Sequence, residues 1–176
     1  GPAAGNRQKL QDALWGAPSV LLRGLLVDAV GRERVTENDL VAERARVKEF
    51  AERGFGGDPE RQARFEKWMN DFEANAAKRN PPLSNEEIAN TYYQLDKLIS
   101  TDNAVLSQAD RMKLAEQFMY KTANPHTIGQ GYFNTCNVTA EVENRLIQLH
   151  PSEALQMVTD VATTGKFITS TGSIID

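Results

Sequence analysis

Residues that start and stop helices recur along this sequence, and they constrain its fold more than any other feature. Helix starts are predicted at Thr36 with Asp39, Asp58 with Pro59, Ser84 with Glu87, Ser107 with Asp110, and Pro151 with Ser152. Helix stops are predicted at Gly31, Gly54, Asn80-Pro81-Pro82, Asn124-Pro125 and Gly165. The chain is therefore expected to be mainly α-helical.

Apolar side chains between these signals repeat at helical spacing. One stripe consists of Ile88, Tyr92, Leu95 and Ile99. Similar stripes precede and follow it, while the remaining positions of residues 1–80 are densely charged. This pattern predicts a bundle-like N-terminal layer of amphipathic helices.

The chain divides into three parts by composition. Residues 1–5 resemble the remnant that a tag-removing protease leaves, and they are excluded from the fold prediction. Residues 6–125 are predicted to form a helical region with joints near 54–58 and 80–84. Residues 126–176 are predicted to hold a loop, a helix that begins at Cys136, a further helix and a short β-hairpin.

The predicted hairpin joins two short strands at the end of the sequence. Phe167-Ile168-Thr169 and Ile174-Ile175 are rich in β-branched residues and are separated by a tight turn that contains Ser-Thr-Gly. Because two strands alone are marginally stable in water, we expect the edge of this hairpin to pair with another strand.

Composition excludes several functional classes. The chain has 20 Lys and Arg against 24 Asp and Glu, and this balance provides no basic face for nucleic acid. One cysteine and two histidines cannot form an internal disulfide or a four-ligand zinc site, so neither a metal nor another cofactor is predicted.

The longest apolar run, Pro18–Val30, is shorter than the roughly 20 residues of a membrane span, and no membrane association is expected. A single thiol suits a reducing cytoplasm, which favours that location.

The candidate site pairs Gln130 with Cys136, six residues later at a predicted helix start. A helix N-terminus lowers the pKa of a cysteine, since unpaired N–H groups and the helix dipole favour the thiolate. The Gln130 carboxamide and the backbone N–H of Cys136 could together donate hydrogen bonds to an oxyanion. The two residues thus have the chemistry of an acyl-transfer site.

This segment, from Gly129 to Glu143, resembles the papain-like cysteine peptidases. The resemblance implies that Cys136 is the nucleophile and Gln130 the oxyanion donor, in a domain that begins a papain-like α+β fold. The sequence departs from the family at Asn134-Thr135, before the cysteine, and at Asn137, after it.

The catalytic base is the missing part of this site. In the family the histidine lies roughly 130 to 150 residues downstream, and 40 residues follow Cys136 here. His150 would lie about 21 Å away along the same helix, at about 1.5 Å per residue. His126 precedes the cysteine and is the only other candidate base. The favoured hypothesis is therefore that this chain is the N-terminal part of a divergent peptidase or acyl-transfer enzyme. The chain alone is expected to be inactive, and the substrate of the enzyme is expected to be a peptide or protein.

The alternative function is a helical protein-interaction or scaffold domain. In that case Cys136 is a small buried apolar residue, as most free cysteines are, and Gln130 bonds to local backbone. Nothing in residues 1–125 requires catalysis.

The nucleophile hypothesis predicts unusual thiol reactivity. Iodoacetamide should modify Cys136 in the folded chain faster below neutral pH than it modifies an unperturbed thiol, because a lowered pKa leaves more thiolate. Mass spectrometry of the alkylated chain over time measures this rate. An unreactive, buried sulfur would remove the nucleophile hypothesis.

Overall fold

A computed structural model describes residues 39–125, 145–168 and 174–175 of the chain. Within these ranges the longer helices are α1 (Leu40–Gly54), α2 (Pro59–Ala76), α3 (Asn85–Ser100), α4 (Gln108–Ala123) and α5 (Pro151–Thr164). Residues 145–149 are also helical and lead directly into α5. The first 38 residues and the 126–144 segment lie outside the description.

Local side-chain caps explain where three of these helices begin. The Asp58 carboxylate accepts hydrogen bonds from the backbone N–H groups of Glu60, at 3.1 Å, and Arg61, at 3.2 Å. Ser84 and Ser107 each accept one from the N–H three residues later. These bonds satisfy N–H groups that have no partner within the helix, and they confirm the predicted starts of α2, α3 and α4. The N-cap residue of α1 is Asp39, while the predicted start at Thr36 lies outside the described residues.

Helix α3 lies at the centre of the bundle. It packs against α1 on one side and α5 on another, and α4 also contacts it, while α2 packs mainly on α4. Buried apolar side chains from all five helices form one core, including Val47, Phe65, Met69, Phe72, Tyr92, Leu95, Met119 and Leu155. The predicted stripe of α3 is confirmed, because Ile88, Tyr92, Leu95 and Ile99 are all buried.

Backbone and side-chain bonds fix α5 at both ends. At its start, the Glu87 carboxylate of α3 accepts a hydrogen bond from the Ser152 N–H at 2.9 Å. At its end, the Leu106 N–H donates to the Ala162 carbonyl at 2.9 Å. Gly165 then terminates the helix in the left-handed conformation, with φ of 79°, as its position in the sequence predicts. The first bond joins α5 to α3, and the second joins it to the connection that follows α3.

The expected C-terminal β-hairpin, as the beginning of an α+β domain, is wrong. The protein is mainly helical. Its extended segments, Phe167–Ile168 and Ile174–Ile175, meet over two residue pairs, and no further strand lies beside them among the described residues. β-branched residues favour extended backbone, but two residue pairs are too few to form a stable layer. The predicted pairing of the hairpin edge with a partner strand therefore loses its basis.

A close approach between α1 and α4 yields the first structural prediction. A Cβ atom at Gly54 would overlap the thioether of Met112, which is buried in the core, so this side chain would have to repack there. Gly54→Ala should therefore lower the free energy of unfolding by about 1–3 kcal/mol, measured by urea denaturation.

Met112→Ala supplies the matched background for this test. With the thioether removed, Gly54→Ala should be neutral or slightly stabilising, since alanine favours the helix more than glycine does. An equal loss in both backgrounds would contradict the proposed steric cause.

Candidate functional site

The residues that the sequence singles out for catalysis lie outside the described residues. His126, Gln130 and Cys136 all belong to the 126–144 segment, so their predicted roles stay predictions. His150 is described and is the N-cap residue of α5. Its Nδ1 atom lies 3.5 Å from a carboxylate oxygen of Glu153, one turn into that helix.

The described polar side chains form several clusters, and the first of these joins three helices. Arg44 of α1 donates two hydrogen bonds to Glu73 of α2, from Nε to Oε2 at 2.9 Å and from Nη2 to Oε1 at 2.5 Å. The hydroxyl of Tyr92, from α3, donates to the same carboxylate at 2.7 Å. Glu73 thus accepts from both neighbouring helices, and a bidentate arginine bond fixes its orientation.

Charge and burial shift the pKa values of this cluster in opposite directions. Burial raises the pKa of Glu73, but the hydrogen bonds from Arg44 and Tyr92 outweigh it, so the pKa lies below its ordinary value. Burial and the adjacent Glu73 charge raise the pKa of Tyr92 well above its ordinary value. At neutral pH the cluster is therefore an ionised carboxylate held by an arginine and a neutral phenol.

A second cluster lies between α1 and α3. Glu43 is 3% exposed and Asp96 is 8% exposed, and both are charged residue types that are seldom buried. Arg46 donates from Nη1 to Oε1 of Glu43 at 2.5 Å, and its charge also acts on Asp96. Burial is the main cause that raises the pKa of each carboxyl group above its ordinary value.

Arg79 connects the ends of two helical segments. Its guanidinium donates to the Thr122 carbonyl at the end of α4, at 2.8 Å, and to the Gln148 carbonyl, at 2.9 Å. Asn75 accepts from Arg79 Nε at 2.9 Å and itself donates to Thr122. Burial lowers the pKa of Arg79 to about 10, so the side chain is still charged at neutral pH. A positive charge at helix C-termini is favourable, because the carbonyl groups there carry partial negative charge.

Arg111 makes the same kind of contact at the end of α3. It is buried, and its guanidinium donates to the carbonyls of Leu98 at 2.7 Å, Ile99 at 3.1 Å and Leu106 at 3.1 Å. Burial lowers its pKa, and the nearby Asp102 charge opposes that change. The side chain thus satisfies carbonyl groups that the helix leaves without partners.

Sequence reasoning missed all four clusters. The local signals for them were spacings: Glu43 and Arg46 are three residues apart, and Asn75 and Arg79 are four apart. Most of the other contacts join residues far apart in the chain, such as Arg44 with Glu73 and Arg79 with Gln148. The polar contacts of these clusters therefore join neighbouring helices or helix ends.

Comparison of the chain with protein-family models, curated proteins and solved structures finds no match.

Two further observations concern membranes and metals. None of the described helices is long and apolar enough to cross a membrane. Within the ranges that the structure describes, no three His, Cys, Asp or Glu side chains are grouped so that they could hold a metal ion.

The Glu73 cluster predicts a pH-dependent effect on stability. Glu73→Gln should lower the free energy of unfolding by about 2 kcal/mol at pH 7, because Arg44 loses its ionic partner in a partly buried place. The folded-state pKa of Glu73 is lowered, so its contribution is present above the unfolded pKa and disappears as the pH falls through the folded value. Urea denaturation of both proteins from pH 7 to pH 3 should show the two stabilities converge.

Glu66→Gln is the matched control for this substitution. Glu66 also reaches from α2 to α1, where it lies 3.7 Å from Lys48, but both side chains are more than one-third exposed. Glu66→Gln should lower the free energy of unfolding by less than about 1 kcal/mol. Equal effects of the two substitutions would contradict a special role for Glu73.

Proposed function

We propose that the described helices form a scaffold domain for protein interaction. One observation carries this proposal: three ionic side chains among the described residues are engaged in holding helices or helix ends together. The Glu73 carboxylate is bound by Arg44 and Tyr92, and the Arg79 and Arg111 guanidinium groups are bound to backbone carbonyls. Groups held in this way support rigidity and are poorly placed to bind or transform a substrate.

The outer surface agrees with such a role. Oppositely charged side chains alternate along exposed helix faces, as in the pairs of Glu49 with Arg53 and Lys67 with Asp71. Pairs of this type contribute little to stability, but they keep a helix surface solvated and can give specificity to an encounter with a partner. The slight excess of acidic residues favours a protein or peptide as partner over nucleic acid.

The peptidase hypothesis concerns a different part of the chain. It depends on Gln130 and Cys136 in the 126–144 segment, and its test is the reactivity of the thiol. The scaffold proposal depends on residues of α1 to α5, so the two hypotheses are separable by substitution.

Cross-linking in the native cells tests the scaffold proposal. Tagged wild-type chain, Cys136→Ala and Glu73→Gln are expressed at equal levels, cross-linked and analysed by quantitative mass spectrometry. Wild type and Cys136→Ala should cross-link to the same partner in equal yield, since the thiol has no part in the interaction. Glu73→Gln should lower that yield, because it loosens the contacts among α1, α2 and α3.

Glu66→Gln removes the charge that faces Lys48 at an exposed place and leaves a carbonyl oxygen that can accept from Gln62. It controls for the loss of a carboxylate and should behave as wild type. Peptide hydrolysis or acyl transfer by the wild-type chain that disappears in Cys136→Ala would contradict the scaffold proposal. Partner cross-linking that depends on Cys136 but not on Glu73 would contradict it as well.

A further inference from the structure

Two buried carboxyl groups occupy the contact between α1 and α3. Glu43 belongs to α1 and Asp96 to α3, and these helices pack directly against each other. The carboxyl groups are close enough for the charge of Asp96 to act on Glu43. They are referred to below as the α1–α3 carboxyl pair.

Each member of this pair has an oxygen that lacks a hydrogen bond. Glu43 Oε2 and Asp96 Oδ1 are both buried, and neither has a hydrogen-bond partner among the described residues. An ionised carboxylate oxygen without a partner is costly to bury, whereas a protonated carboxyl group carries no charge and can itself donate. The geometry therefore disfavours the state in which both groups are ionised.

The surrounding charged groups do not offset the free-energy cost of burying both carboxylates in ionised form. Arg46 attracts both carboxylates, but its side chain is 48% exposed, so solvent weakens its effect. Asp39, just before α1, adds a further negative charge near Glu43, and Ser100 forms a hydrogen bond with Asp96. The ionised groups that act on the pair are thus Arg46 and Asp39, while Glu73 of α2 is bound by Arg44 and the Arg111 guanidinium of α4 is bound to carbonyls.

We propose that the α1–α3 carboxyl pair is a pH-sensitive contact, in which at least one of the two groups takes up a proton from solvent when α1 packs on α3. The contact strengthens as the pH falls from neutral towards the ordinary titration range of carboxyl groups. It weakens again when the proton returns to solvent at higher pH, so the attachment of α1 to the bundle responds to pH.

The direction of the pH effect follows from the thermodynamic linkage between proton binding and folding. Both groups have a folded-state pKa above the ordinary value, chiefly because of burial. Below the pKa of the unfolded chain, both carboxyl groups are protonated in the folded and in the unfolded state. Burying the pair then carries no free-energy cost from charge. As the pH rises through the folded value, the folded state must keep a buried charge and stability is lost. Glu73 has the opposite dependence, so the effects of the two clusters on α1 can be distinguished.

Hydrogen exchange of the full chain tests this proposal. Protection factors of the α1 amides are measured at pH 5.5 and pH 7.5, after correction for intrinsic exchange rates. Wild-type protection should be several-fold higher at pH 5.5; the limit is about tenfold per pH unit for each proton taken up. Asp96→Asn should raise the protection at pH 7.5 and remove most of the difference between the two pH values.

Glu49→Gln is the matched control, since Glu49 is an exposed carboxylate on α1 that pairs with Arg53. It should keep the wild-type pH dependence. If Asp96→Asn does not fold, carboxyl titrations of the wild-type chain by NMR decide the question, and at least one of the pair should titrate above its ordinary range. Wild-type protection of α1 that is equal at both pH values, or two carboxyl groups that titrate normally, would overturn the proposal.

Discussion

The Glu73 carboxylate is the polar contact on which the helix arrangement most depends. It receives a bidentate bond from Arg44 and a further bond from the Tyr92 hydroxyl, so that one side chain of α2 binds both α1 and α3. Apolar burial drives these helices together without fixing their relative positions, because it is non-directional. Directional bonds to a single ionised group select one arrangement, since any other would leave a partly buried charge without partners.

Arginine has a second structural role at the helix ends. Arg79 and Arg111 each donate to carbonyl groups of more than one segment, and their planar guanidinium groups offer several donors in fixed directions. The end of α4 is thereby joined to the segment that leads into α5, and the end of α3 is joined to the connection that follows it. The bundle is thus held by its core and by polar bonds at its ends, and this rigidity supports the proposed scaffold function.

Contacts within a few residues are predictable from the sequence, whereas contacts between residues far apart in the chain are not. Helix starts at Asp58, Ser84 and Ser107 depend on bonds within a few residues, so their signals are visible in the chain itself. The burial of Glu43 and Asp96 depends on how α1 packs on α3, and no local pattern encodes it. The hairpin was wrongly predicted because β-branched residues indicate extended backbone without indicating how far pairing continues. The candidate site at Gln130 and Cys136 lies in the least periodic part of the sequence, outside the described residues.

A double-mutant cycle between Glu73 and Tyr92 tests the central claim most directly. Stabilities of wild type, Glu73→Gln, Tyr92→Phe and the double variant give the coupling energy between the two side chains. If the carboxylate and the phenol hold α2 and α3 together, the coupling energy should be about 1 kcal/mol or more at pH 7. Additive effects, with a coupling energy near zero, would show that the helices are positioned without this bond and would contradict the account.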